Sequence, residues 1–207
     1  MALYIYTLLE MKSILGISDT EDDSALELWM NSIQGRFDSY CERQFLYSAS
    51  TTETFDGYTR ALGVRVWPIE AVSSIVIDAD QDWDNVAALE MDDYRVNYER
   101  GLIYYGTAGV RWPGAVQSIR VIYSGGMLKS DTTAASSYVR ASDRETLRRA
   151  MFLQMNFEWR NRTRLGMNEI RHDGASAQIG AQVQMLLQGR TLLPEVESCL
   201  LPLKRMN

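Results

Sequence analysis

The first residues of the chain carry the pattern of a short amphipathic helix. Apolar residues recur at helical spacing between residues 7 and 16. Thr7 and Glu10 stand three residues apart, as in a capping box, in which each side chain accepts a hydrogen bond from the other residue's backbone amide. Gly16 can adopt the left-handed conformation that ends many helices. The pattern therefore predicts a first helix over residues 7–16.

A longer helical pattern follows an acidic cluster at residues 19–23. Negative charge there complements the positive amino end of a helix dipole. Ser24 and Glu27 have the spacing of a second capping box. The apolar positions that follow lie three or four residues apart: Leu26, Trp29, Met30, Ile33, Phe37 and Tyr40. We therefore expect a helix over residues 24–42 with one buried face.

The middle of the chain changes to the composition and period of strands. Short runs rich in Val, Ile, Tyr, Trp and Thr are separated by Gly and Pro. They cover residues 51–58, 62–67, 72–78, 94–99, 102–105 and 118–124. Short strands at this spacing are typical of a small antiparallel sheet or a partly closed barrel. A β insertion over residues 51–124 is therefore predicted.

A third helix is predicted over residues 142–162. Its apolar stripe recurs every fourth residue and is expected in the core or at a subunit interface: Leu147, Met151, Met155 and Trp159. The small, polar residues 125–141 before it predict a long exposed loop. Residues 173–191 are rich in Gly, Ala, Ser and Gln, so they need a neighbour to become ordered.

These elements predict an α+β fold that is mostly α. A helical bundle would contain a small antiparallel β-sheet or partial barrel, inserted between helix 2 and the carboxy-terminal helix. We expect a core over residues 1–163 and an extended carboxy-terminal arm over residues 164–207. The longest uninterrupted apolar runs are only a few residues, so no membrane span is predicted.

Charge is unevenly distributed along the chain. Residues 1–100 hold seven Lys and Arg against nineteen Asp and Glu, whereas residues 140–172 hold eight Arg against four acids. This suits copies that associate head to tail and does not suit a broad grip on duplex DNA. The arginines of the third helix are therefore candidates for contacts with acidic residues of a neighbouring subunit, with DNA contact as the alternative: Arg140, Arg144, Arg148, Arg160 and Arg164.

Few residues offer catalytic or metal-binding chemistry. The chain has a single histidine, His172, and two cysteines, Cys41 and Cys199, which lie in apolar stretches and are expected to be buried reduced thiols. Residues 78–84 place carboxylates at alternate positions, as in the first half of a calcium loop. Trp83 stands where that loop needs Gly, so we expect a solvated hairpin loop. No catalytic residue, cofactor or metal ligand is predicted.

Several short motifs follow one another in a defined order. They are Tyr40–Phe45 (YCERQF), Trp67–Ile75 (WPIEAVSSI), Asp93–Tyr104 with its tyrosine-containing hairpin, Trp112–Pro113 with Arg120–Gly126 (RVIYSGG), and Leu193–Arg205 (LPEVESCLLPLKR). Together they resemble the head–tail connector, or adaptor, proteins of tailed bacteriophages. Leu203 stands where that family has an aromatic residue, and residues 164–191 are longer and richer in Gln and Ala than the family pattern.

The resemblance implies a structural, non-enzymatic virion protein of the neck, assembled in the host bacterial cytoplasm. Such proteins form a ring, in most cases dodecameric, that docks beneath the portal protein and receives a stopper or tail-completion protein on its other side. Double-stranded DNA passes through the channel without sequence-specific binding.

The resemblance also implies that the carboxy-terminal segment docks on the portal. The matching residues are Leu192, Leu193, Pro194, Val196, Leu200, Leu201, Pro202, Lys204 and Arg205. Packing of this segment against its own domain is the alternative. Two other functions remain open: another neck or tail component, such as a stopper or tail terminator, and a metal-dependent enzyme that uses the carboxylates of residues 78–84.

Overall fold

The computed structural model describes residues 5–83, 86–106, 110–129, 138–162 and 192–205. The chain divides into two compact units. Among the described residues, one unit lies within residues 43–144 and holds the strands and a 3-10 helix over Met91–Asp93, and the other lies within residues 2–42 and 145–207 and holds the α-helices apart from the first turn of the third.

Helix α1 spans Leu8–Leu15, and the predicted caps at both of its ends are confirmed. The Thr7 hydroxyl accepts a hydrogen bond from Glu10 N at 3.2 Å, while the Glu10 carboxylate accepts one from Thr7 N at 2.8 Å. Gly16 follows with a φ of 73°, in the left-handed region that glycine adopts readily.

Helix α2 spans Asp23–Cys41 and has one buried face, as predicted. The buried side chains are Leu26, Met30, Ile33, Phe37 and Cys41. The predicted capping box of Ser24 and Glu27 is wrong, because the helix begins at Asp23 and Ser24 lies inside its first turn. The Asp23 carboxylate, in the first turn of the helix, contacts Lys12 Nζ of α1 at 2.5 Å.

Two aromatic residues of α2 lie at the rim of its buried face rather than within it. Trp29 and Tyr40 are half-buried. The Trp29 ring meets Trp159 edge-on, with 6.3 Å between the ring centroids. Lys204 Nζ lies 5.0 Å from the centroid of the Tyr40 ring. Both aromatic rings are therefore packed without being enclosed.

Helix α3 spans Ala141–Arg160 and confirms the third predicted helix. The backbone oxygen of Arg140 accepts hydrogen bonds from the amides three and four residues on, at 3.1 and 3.2 Å, so the helix starts one residue before the predicted Ser142. The four residues of the predicted apolar stripe are buried in their own chain: Leu147, Met151, Met155 and Trp159.

Over residues 192–205 the predicted extended arm is wrong. The chain forms helix α4, Pro194–Leu200, followed by a short 3-10 helix over Leu201–Leu203. Proline is favoured in the first turn of a helix, where its missing N–H costs no hydrogen bond, so Pro194 starts this helix. The predicted boundary between the core and the arm lies among residues 163–191, outside the described residues, and stays a prediction.

The first sheet has the order β1–β6–β3, with both pairings antiparallel. Strand β1 spans Ser48–Phe55, β3 spans Ile69–Ile77, and β6 spans Ile119–Gly125. Because β6 is central, its alternating residues are enclosed on one face, and Val121 and Tyr123 are fully buried.

The second sheet has the order β2–β5–β4 and is also antiparallel. Strand β2 spans Leu62–Gly63, β4 spans Tyr94–Asn97, and β5 spans Leu102–Tyr105. The predicted single sheet or partial barrel is therefore wrong, and two small sheets are present. Strand β2 pairs through only two residues, which leaves no continuous ladder that could close a barrel.

The two sheets share one hydrophobic core. Its buried residues are Leu62, Val64, Val66, Ile69, Ile75, Ile103, Trp112, Ile119, Val121 and Tyr123. The mixed α+β class is thus confirmed. The predominance of helix over the whole chain and the helical bundle stay predictions.

The predicted exposed loop at residues 125–141 does not begin at residue 125. Met127 and Leu128 are buried, and Leu128 forms an isolated bridge with Leu46. Gly126 has a φ of 125°, and a Cβ there would lie 2.4 Å from the backbone of Tyr47, so only glycine fits. Residues 130–137 lie outside the described residues.

Candidate functional site

The carboxy-terminal segment packs within the helical unit. Its apolar side chains are at most 5% exposed at Leu192, Leu193, Val196, Leu200 and Leu203. They recur at spacings of three and four residues, so one side of α4 and the following turn is enclosed. Packing of the segment against its own domain, which the sequence left open, is therefore what the structure shows.

The end of α2 holds the segment through its backbone. The Cys41 thiol lies 3.8 Å from the backbone oxygen of Leu200. The Arg205 amide donates a hydrogen bond to the backbone oxygen of Cys41 at 3.2 Å. The last carbonyl groups of a helix have no partner within it, so Arg205 N satisfies one that would otherwise be orphaned.

A buried polar network joins α2, α3 and α4. The Gln154 amide donates to the Glu158 carboxylate at 2.5 Å, and its oxygen accepts a hydrogen bond from Leu193 N at 3.0 Å. Arg36 contacts the same Glu158 carboxylate at 2.6 Å. Gln154 is fully buried and Glu158 is 7% exposed, so each contact replaces one that water would otherwise make.

The predicted portal-docking residues fall into three groups by exposure. Leu192, Leu193, Val196 and Leu200 are buried, whereas Pro194, Lys204 and Arg205 are half-buried. Leu201 is 62% exposed and Pro202 is exposed as well. An apolar pair, Leu201 and Pro202, therefore lies on the surface, and the buried Leu203 separates it in sequence from the cationic Lys204 and Arg205.

Two of the predicted interface arginines have acidic partners in their own chain. Arg140 forms an ion pair with Glu99 in the sheet unit, where both side chains are largely exposed. In the helical unit, an Arg148 guanidinium nitrogen lies 2.9 Å from the Glu10 carboxylate, and its guanidinium carbon lies 4.1 Å from the centroid of the Tyr6 ring.

The contact between Arg148 and Glu10 shifts the pKa of both groups. Burial opposes ionisation of Glu10, but the Thr7 amide and Arg148 together lower the pKa of the carboxyl below its ordinary value. Burial also disfavours the charged form of Arg148, yet Glu10 and Tyr6 raise the pKa of the guanidinium. This ion pair stabilises the capped start of α1.

The remaining predicted interface arginines differ in environment. Arg144 is half-buried and Arg160 is exposed in the last turn of α3. Arg164 lies outside the described residues. Arg160 and Arg149 are the cationic residues at the edge of a groove of about 770 Å³, whose floor includes Leu153 and Phe157.

The cysteines differ from the expectation at one position. Cys41 is buried, as predicted, whereas Cys199 is half-buried and lines the groove beside Leu193. Cys41 and Cys199 are not joined in a disulfide bond.

The acidic segment after β3 forms a loop stabilised by its own backbone. The Asp78 carboxylate accepts hydrogen bonds from Asp80 N at 3.0 Å and from Trp83 N at 2.9 Å. The Trp83 amide is the main cause that lowers the pKa of Asp78. Among the described residues, which exclude Asp84, no three acidic, His or Cys side chains are grouped so as to hold a metal ion.

The sequence motifs contain structural side chains whose partners sequence reasoning missed. In the sheet unit, Arg43 is 2% exposed, its guanidinium carbon lies 3.2 Å from the centroid of the Trp67 ring, and it donates to the Trp67 backbone oxygen. The Tyr123 hydroxyl accepts from Val66 N at 3.0 Å and donates to the Glu53 carboxylate. These partners lie 24 to 70 residues apart in sequence, so motif spacing gave no signal that could have paired them.

No helix within the described ranges is both long and apolar enough to cross a membrane.

Comparison with known proteins gave matches among solved structures. No family model and no curated protein matches the chain. A chain in the virion of the native gene transfer agent particle has a TM-score of 0.60 at 14% identity, over 100% of this chain and 94% of that one.

Two structures of the necks of these particles contain similar chains. For the neck of the empty particle, computed with C6 symmetry, the TM-score is 0.58 at 14% identity, over 98% of this chain and 91% of the other. For the neck of the native particle, computed with C12 symmetry, the TM-score is 0.52 at 16% identity, over 97% of this chain and 88% of the other. This agrees with the connector resemblance of the motifs: the chain has a fold found in the necks of phage-like particles.

Proposed function

We propose that the chain is a structural subunit of a head–tail neck, an adaptor that forms a ring beneath the portal protein and links it to a stopper or tail-completion protein. The observation that carries the proposal is the whole-chain likeness to chains of particle necks, which leaves almost no part of the fold unmatched. The order of the sequence motifs supports the same role independently.

A ring of identical copies is supported by the symmetry of those necks. They were computed with C6 and C12 symmetry, so equivalent subunits surround their axis. A dodecamer is the number that the connector resemblance implies. The two amino-terminal helices favour an adaptor over a stopper or tail terminator, which tend to be richer in strands.

The carboxy-terminal segment is the proposed portal-facing surface. Its buried leucines hold α4 in place, so the contact itself falls to the exposed Leu201 and Pro202 and to the cationic Lys204 and Arg205. Exposed apolar side chains next to cationic ones are expected to bind a portal surface that has an apolar pocket bordered by acidic residues.

Double-stranded DNA is proposed to pass through the ring without sequence-specific binding, and the protein is proposed to have no enzymatic activity. The excess of acidic residues over positions 1–100 suits a wall that repels phosphate and lets DNA slide. Assembly in the host bacterial cytoplasm and incorporation into the virion follow from this role.

The proposal is tested by binding to purified portal rings. Leu201→Asp should abolish co-sedimentation with the portal, because it places a charge at the apolar centre of the proposed contact. Val116→Asp, at a residue 71% exposed in the sheet unit, is the matched control and should bind like the wild type. Wild-type chain that fails to bind portal rings would contradict the proposed function.

A further inference from the structure

The groove beside α3 has the features of a binding surface for an amphipathic helix. Leu153 and Phe157 form an apolar floor, and Arg149 and Arg160 are exposed above it. On the helix, Arg149, Leu153 and Phe157 lie four residues apart and therefore share one face. The lining also includes Glu195 of α4, so the groove has an apolar floor with two guanidinium groups on its α3 side and one carboxylate on its α4 side.

A complementary surface lies on α2 of the same unit. Leu28 is 68% exposed, on the side of α2 opposite its buried face. Glu27 beside it and Glu21 before the helix are exposed and acidic. Leu28 also lines a cleft with Arg36, which contacts Glu158, so the adjacent carboxylate that can complement the guanidinium groups of the groove is that of Glu27.

Leu28 cannot reach the groove of its own chain. On α3, Glu158 and Trp159 face α2, where they contact Arg36 and Trp29. Arg149 and the groove lie on the opposite side of α3, since successive residues turn by roughly 100° around a helix. The two surfaces therefore lie on different sides of the helical unit.

We propose that the groove receives the Leu28 face of α2 from a second copy of this chain. Leu28 then lies on Leu153 and Phe157, and the acidic residues of the neighbour face Arg149 and Arg160. Because the two surfaces differ, each copy contacts the next one head to tail. Repetition of this contact forms a closed ring when the rotation between neighbouring copies divides a full turn into equal parts. This inference rests on the proposed function, since it assigns the contact between neighbouring subunits of the ring.

Cys199 lines the groove and supplies a probe for its occupant. The variant Leu28→Cys, assembled on portal rings and treated with a short bismaleimide, should yield a ladder of covalent multimers on a denaturing gel. Removing the groove thiol as well, in Leu28→Cys with Cys199→Ser, should eliminate the ladder. Leu9→Cys is the matched control, because Leu9 is 78% exposed on α1 of the same unit, and it should give no ladder.

A charge exchange tests the same contact without a crosslinker. Arg149→Glu should reduce ring formation at least tenfold, and the added change Glu27→Arg should restore most of it. Both residues are exposed, so circular dichroism should show unchanged folding of each variant.

The outcomes separate the inference from the proposed function. Rings on the portal whose Leu28→Cys subunits crosslink no better than those of Leu9→Cys would overturn the inference and leave the proposed function intact. Wild-type chain that forms no ring on the portal would contradict the proposed function, and the inference with it.

Discussion

At the scale of single residues, the accuracy of sequence reasoning depended on how local each contact is. The capping box of Thr7 and Glu10 could be predicted because both partners lie within one turn. The same spacing at Ser24 and Glu27 was misleading, because the helix begins at Asp23, whose carboxylate contacts Lys12 of α1. Motif spacing does not contain that information.

The network around Gln154 could not be predicted at all. Its partner Leu193 N is 39 residues away in sequence, and a Gln within a helical pattern is ordinarily assigned to the surface. Only the packing of α4 on α3 encloses it.

Replacing Gln154 by Leu should destabilise the fold by about 1–3 kcal/mol, because it leaves Leu193 N without an acceptor and removes a donor from Glu158. Urea unfolding measures this loss. Asn156→Leu, at a half-buried position of the same helix, is the control and should change stability by no more than about 0.5 kcal/mol. Equal effects of the two substitutions would show that the network contributes nothing.

The lowered pKa of Glu10 predicts a pH-dependent contribution to stability. Its carboxylate stabilises the fold above the ordinary carboxyl pKa, and the contribution is lost as the pH falls through the lowered folded-state pKa. Glu10→Gln should therefore cost roughly 0.5–1 kcal/mol near neutral pH, a figure that allows for screening by solvent.

Urea unfolding of wild type and Glu10→Gln at neutral pH and at about pH 3 checks this expectation. The difference in unfolding free energy should shrink at the lower pH, because the contribution of the ionised carboxylate is lost as the pH falls through its lowered folded-state pKa. A difference that is the same at both pH values would mean that the charge of Glu10 is irrelevant.

At the scale of elements, helices and strands with strong periodicity were predicted and their partners were not. The three longer helices start within one residue of their predicted positions, and each of the six predicted strand regions overlaps a strand. Sheet pairing depends on contacts distant in sequence, such as β1 with β6, so the division into two sheets could not be predicted.

Helix α4 shows why the carboxy-terminal segment was misjudged. An extended arm was predicted there, yet Pro194 and Pro202 each lie in the first turn of a helix, where proline is tolerated. The leucines between them then have helical spacing and become buried.

Two adjacent leucines of this segment should respond oppositely to the same substitution. Leu200 is fully buried, so Leu200→Asp should destabilise the fold by about 3 kcal/mol or more. Leu201 is 62% exposed, so Leu201→Asp should change stability by no more than about 0.5 kcal/mol. Thermal unfolding distinguishes them, and similar melting temperatures would contradict the observed orientation of α4.

At the scale of the whole molecule, the features that bear on the proposed role are surfaces. The charge asymmetry read from the sequence corresponds, in the helical unit, to an acidic side of α2 and a groove with arginines on α3. Copies that associate through such surfaces should separate as salt is raised, because screening weakens contacts between exposed charges.

The central claim is that this chain forms a ring beneath a portal. Electron cryo-microscopy of the chain mixed with portal rings from the same particle tests it most directly. The account predicts a ring of equivalent subunits on one face of the portal, with residues 201–205 at the contact. Portal rings with both faces bare at saturating concentrations of the chain would contradict it.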